Sequence, residues 1–177
     1  MTDILDKQRQ YLAQLLEAIQ RSAYFLRRSQ DKVNWPLQGA TLAQQSKDVD
    51  LFETLAAINE RFAKLQDSLA AVMRHTALLM GEDPGNFLKV LATFEKWGLL
   101  ESSSRWQQGR VIRNMATHDY DLDYQAIADH FNALHDLTPM LLDTARNLLR
   151  HARQSLSLQP ASATFTVEFE GLFNQGR

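Results

Sequence analysis

Between Leu51 and Leu79 the chain places Leu51, Leu55, Ile58, Phe62, Leu65, Leu69, Val72, Thr76 and Leu79 at steps of three and four without a miss. This is a heptad seam, the pattern of helices that pack nearly parallel at shallow crossing angles. A second seam runs beside it: Phe52, Ala56, Asn59, Ala63, Gln66, Ala70, Met73, Ala77 and Met80. Its small residues would let another helix come close. Two seams need two sets of neighbours, so this helix should lie at the centre of a bundle. At 1.5 Å per residue it would span roughly 45 Å.

The rest of the chain supplies the neighbours. A first helix is expected over Asp3–Arg28, with Leu5, Leu12, Leu15, Ile19, Ala23 and Leu26 as its stripe and a basic end at Arg21, Arg27, Arg28 and Lys32. Asn34, Pro36 and Gly39 mark Ser29–Lys47 as a loop with at most one short turn, pinned by Trp35, Leu37 and Leu42. Asn86 can cap a third helix that stops near Gly98, and Ser102, Ser103 and Ser104 can cap a fourth running through Trp106 and Met115 to about His118. Asp123 is the best cap for a last helix, whose heptad holds Tyr124, Ile127, Phe131, Leu134, Thr138, Leu141, Ala145 and Leu148. Pro139 lies inside it and predicts a kink or a short break. After Pro160, Phe165, Val167 and Phe169 alternate with polar residues, which reads as a half-buried strand. The expectation is an all-α antiparallel bundle of about five helices over residues 1–154. Residues 155–177 form a tail that pairs with a partner as a strand or is disordered.

Composition narrows the function. The 177 residues, 45% of them hydrophobic, suit one domain with a sizeable core. A formal charge of -2 excludes a generally basic nucleic-acid coat, so any RNA contact must be local. The absence of cysteine excludes disulfides and thiolate chemistry. No signal-like start and no run of membrane-spanning length is present, so a soluble cytoplasmic protein without membrane contact is expected.

One corner is chemically singular: Arg113-Asn114-Met115-Ala116-Thr117-His118-Asp119-Tyr120, where a helical pattern runs out into an aspartate-rich connector. An imidazole can take a 2′-hydroxyl proton or protonate a leaving oxygen, and a guanidinium can hold the phosphate between them. Phosphodiester cleavage without a metal is therefore available. Arg113 and His118 are five apart, about 140° round a regular helix, so the helix ends between them or each serves a groove shared with a second molecule. One imidazole does one of the two proton jobs at a time; two copies of the chain would supply both. Arg146, Asn147 and His151 repeat the spacing inside the last helix, but Arg153 replaces the tyrosine, and a basic helix end explains them. Asp119, Asp121 and Asp123 alternate as in calcium loops, yet Tyr124 and His130 stand where such a loop needs Gly and Glu. Glu53 and Glu60 read as solvated, with one of them able to hold Arg113 in the bundle. His75, His130 and His135 show no metal-ligand spacing, and neither metal nor cofactor is expected.

Arg113-Asn114-x3-His118-x-Tyr120, after one long helix and a long-helix hairpin and before a final helix, resembles the HepT branch of the HEPN domains over about residues 3–150. The resemblance implies a helical homodimer that acts as a metal-independent endoribonuclease toxin, with its active site in the cleft between the copies. It implies Arg113 and His118 as catalytic residues, Asn114 as their polar support, and RNA, transfer RNA among the candidates, rather than DNA as substrate. It further implies a small MntA-like nucleotidyltransferase antitoxin that transfers AMP to Tyr120. The strand-like tail and the long Ser29–Lys47 loop depart from the common core. The alternatives are a non-catalytic helical accessory subunit that presents substrate or nucleotide to a nucleotidyltransferase, and a plain structural adaptor.

Overall fold

The computed structural model describes residues 2–115 and 123–174. Among them lie seven helices: α1 (Thr2–Gln30), α2 (Gly39–Gln44), α3 (Val49–Leu79), α4 (Phe87–Lys96), α5 (Ser103–Met115), α6 (Tyr124–Leu156) and α7 (Thr166–Gly171). The described residues contain no strand, and no helix is long and apolar enough to cross a membrane.

α1, α3 and α6 form the trunk. Tyr11 meets His75 and Phe25 meets Arg61, so α1 and α3 run antiparallel. Gln30 bonds Thr138 while Arg9 reaches the carbonyl of Leu156, so α1 is antiparallel to α6 as well. Asn59 faces His130 and Met80 faces His151, which makes α3 and α6 parallel. The chain between them must return toward the starting end, and α5 makes that return beside α3, from Trp106 at Gln66 to Arg113 at Ala63.

The first seam of α3 is the core: Leu55, Ile58, Phe62, Leu65, Leu69, Val72 and Thr76 are buried. Each large apolar side chain so removed from water contributes about 1.5–3 kcal/mol. The second seam closes only in its later half, at Gln66, Met73 and Ala77, where α4 and α5 cover it; Ala56 stays exposed. On α1 the stripe is Leu12, Leu16, Ile19, Ala23 and Leu26, with Leu16 rather than Leu15 at its centre and Leu5 left in solvent. The expected caps form: Asn86 accepts from the Leu88 amide, Ser102 from that of Arg105, and Asp123 from those of Gln125 and Ala126. Asp48, not singled out in the sequence, caps α3 by accepting from the Leu51 amide. Gly98, at a φ of 71°, ends the turn that follows α4.

One expectation is narrowed and one is corrected. α6 remains helical through Pro139, so of the expected kink or short break the break does not occur. The buried Thr138 hydroxyl donates to Leu134 O and accepts from Gln30, and Met140, Leu141 and Leu142 are buried just beyond, so packing holds this turn. The tail is not a strand: residues 166–171 are helical. A strand would have aligned Phe165, Val167 and Phe169 but needed an edge to pair with. The helix satisfies its own backbone, buries Phe169 against Phe173 and leaves Val167 77% exposed. The tail lies along α1: the Ala161 amide reaches Ala13 O, Ser162 bonds Glu17, and Phe165 packs on Tyr24 and Phe25.

Candidate functional site

Arg113 occupies the last turn of α5, antiparallel to α3. Gly109, one turn earlier, sets how closely the two helices approach: a Cβ there would stand 3.2 Å from Gln66 Nε2 and 3.4 Å from the Phe62 ring. Gln66 donates to the carbonyl of Trp106 at 2.8 Å, which fixes α5 in register on α3. At that distance the Arg113 Nη1 donates to the backbone carbonyl of Ala63 at 2.8 Å, and Nη2 pairs with Asp67 at 2.8 Å. The Arg113 side chain is 10% exposed, whereas Asp67 is 67% exposed. Arg113 Nε is buried and has no partner among the described residues. The carboxylate that holds Arg113 is thus Asp67, while Glu53 and Glu60 are exposed on the same helix.

Asn114 follows on the exposed side of that turn. His118, Asp119, Tyr120 and Asp121 lie outside the described residues. The described structure therefore brings Arg113 and Asn114 to the end of α5, and the described chain resumes at Asp123, the cap of α6.

Several neighbours escaped the sequence reading. Asp67 shares a small cleft of about 80 Å³ with Arg74 and Arg110. Arg74 lies 4.4 Å over the Phe87 ring. Arg110 precedes Arg113 by three positions, a helical neighbour spacing that could have been read from the sequence. His130, on the second turn of α6, reaches the same flank of α3: its Nε2 lies 3.1 Å from Asn59 Oδ1, one turn before Ala63. An oxygen acceptor calls for the proton on Nε2. Burial lowers the His130 imidazole below its usual value.

The repeated spacing at Arg146 and His151 has a different setting. His151 stacks on Trp97 and points Nε2 at Met80 Sδ, while Arg146 pairs with Asp143 and covers Phe173. His75 packs edge-on against Tyr11 and His135 stacks on Trp35. No cluster of three or more His, Cys, Asp or Glu side chains among the described residues could hold a metal ion. No family model, curated protein or solved structure matches the chain.

Proposed function

We propose that the chain is a HEPN-type endoribonuclease toxin that cleaves RNA without a metal. The observation that carries this reading is the start of the Arg113-Asn114-x3-His118-x-Tyr120 pattern on a helix end that is fixed against the bundle's central helix. Arg74 and Arg110 beside Asp67 add cationic surface to an otherwise acidic chain, which suits a local phosphate contact. In the reaction, one imidazole removes the 2′-hydroxyl proton and the resulting oxygen attacks phosphorus. The bond to the 5′ oxygen breaks, an acid protonates that oxygen, and a cyclic phosphate remains. Arg113 stabilises the charge that builds on the phosphoryl oxygens. A homodimer belongs to the same proposal, since two copies of His118 supply base and acid. Val111 and Met115, 61% and 55% exposed on α5, suit the contact between copies.

The test is expression of the chain alone. Wild type should arrest growth and degrade RNA. His118→Ala and Arg113→Ala should spare RNA while keeping their helical circular dichroism, and His151→Ala should behave as wild type. Intact RNA in every case would leave the accessory-subunit reading in its place. That second reading has its own support: an arginine bonded to Ala63 O and paired with Asp67 can be purely structural. Control by a small nucleotidyltransferase completes the proposal. AMP on Tyr120 would place a negative charge near the guanidinium that must hold the RNA phosphate. Intact mass after co-expression should show one or more AMP adducts, absent from Tyr120→Phe; an adduct that persists in that variant rules out Tyr120 as the acceptor.

A further inference from the structure

Beside the Arg113–Asp67 pair lies a cleft too small for a nucleoside. Asp67 lines it together with Arg74 of α3 and Arg110 of α5, and Phe87 and Trp106 form its walls. Its volume of about 80 Å³ is far below the roughly 300 Å³ at which sites for whole small molecules begin. It has room for a single phosphate group.

Both arginines keep their donors in reserve. Arg27, Arg28, Arg105, Arg113 and Arg146 each pair with an acid. Arg74 and Arg110 have neither an ion pair nor a hydrogen bond among the described residues. A ring positions Arg74 instead: its guanidinium lies 4.4 Å over Phe87, which orients the group and leaves its N–H donors open. Two like charges lining one small cleft repel each other. Asp67 is the one carboxylate among the described lining residues, and it already pairs with Arg113. An anion between the two guanidinia removes the repulsion and accepts their hydrogen bonds.

The position of the cleft says which anion. Arg110 precedes Arg113 by three residues, about 4.5 Å along α5, and Arg74 follows Asp67 by seven, about 10 Å along α3. Because α5 runs antiparallel to α3, both steps lead the same way, from the end of α5 toward Trp106. One nucleotide of an extended strand spans a gap between those two lengths. We propose that, on the nuclease reading above, Arg74 and Arg110 hold the phosphate next to the scissile one. The substrate is then a strand that continues past the cut bond along the seam between α3 and α5.

Two RNA probes test this on the intact chain, a dinucleotide and a hexanucleotide, each methylated at its 2′ oxygens so that it cannot be cleaved. Arg74→Gln and Arg110→Gln should each weaken the hexanucleotide about fivefold in fluorescence anisotropy. Each should also lower the slope of log affinity against log salt by about 0.7, the loss of one phosphate contact on a single strand. The dinucleotide has only the phosphate that goes to Arg113 and should bind both variants like wild type. Lys47→Gln, at an exposed side chain just before α3, should change neither probe. Circular dichroism confirms each fold, and Arg110→Gln, at an exposed side chain, decides the matter if Arg74→Gln unfolds. The assignment is overturned if the hexanucleotide does not bind at millimolar concentration, or if a folded Arg110→Gln keeps the wild-type affinity and slope. It is equally overturned if the dinucleotide is weakened as much as the hexanucleotide. Should these losses appear while wild type leaves unmodified RNA intact, the phosphate subsite stands and the nuclease reading falls. Cleavage by wild type without the losses removes the subsite alone.

Discussion

Arg113 and Asp67 form an unequal pair: the cation is nearly covered and the anion stands in solvent. An exposed carboxylate gives an ion pair at most about 1 kcal/mol, so Asp67→Asn should barely move the melting temperature. Its effect on RNA should be larger. In the nuclease reading Asp67 competes with the scissile phosphate for Nη2, and Asp67→Asn should tighten binding of a non-cleavable RNA oligonucleotide by about three- to tenfold. In the accessory reading the affinity should not change, and fluorescence anisotropy separates the two. Arg113 could be picked out of the sequence because Arg, His and Tyr were spaced as a known pattern. Its partner could not. Asp67 lies far away in sequence, and the choice among Glu53, Glu60 and Asp67 depends on how far along α3 the end of α5 falls.

That position is a property of elements, and a glycine controls it. Gly109 faces Phe62 and a Gln66 amide that is already committed to Trp106 O, so neither neighbour can yield without loss. Gly109→Val should push α5 away from α3 and cost about 1–3 kcal/mol, measured by chemical denaturation. Any RNase activity should fall with it, because the Arg113 bonds sit one turn further on. Helices with long seams were legible, and so were the caps at Asn86 and Asp123, since each depends on residues close in sequence. The short elements were not. Phe165, Phe169 and Phe173 satisfy a helical spacing as well as Phe165, Val167 and Phe169 satisfy a strand's, and the choice fell to whether an edge existed to pair with. Gly39 shows the same limit. It permits α2 to lie against the start of α6, where an added Cβ would come within 2.7 Å of the Gln125 backbone, and nothing near Gly39 in sequence announces that contact.

Across the whole molecule, His75, His130, His135 and His151 share one electrostatic condition: burial lowers each below the ordinary 6.5. For His135 this outweighs the raising influence of Asp136, with Arg27 adding to the lowering. The unfolded chain therefore binds more protons than the folded one as pH falls through this range. The penalty is absent above 6.5 and grows as pH drops through 6.5 toward each folded value. The melting temperature should decline from pH 7.5 to 5.5, and His135→Gln should flatten part of the slope; a level profile in scanning calorimetry would contradict the shifts. The trunk has a further consequence, for the timing of folding. α1 is bonded to α6 between positions 147 and 108 residues apart, so its last groove fills only when the latest long helix arrives. On a ribosome, α1 and α3 can pair early, yet Arg113 emerges before the helix that seals the trunk. A growing chain is thus half-assembled when the Arg113 end of α5 is made. On the toxin reading proposed above, that interval would give a neutralising partner time to bind before the bundle is complete.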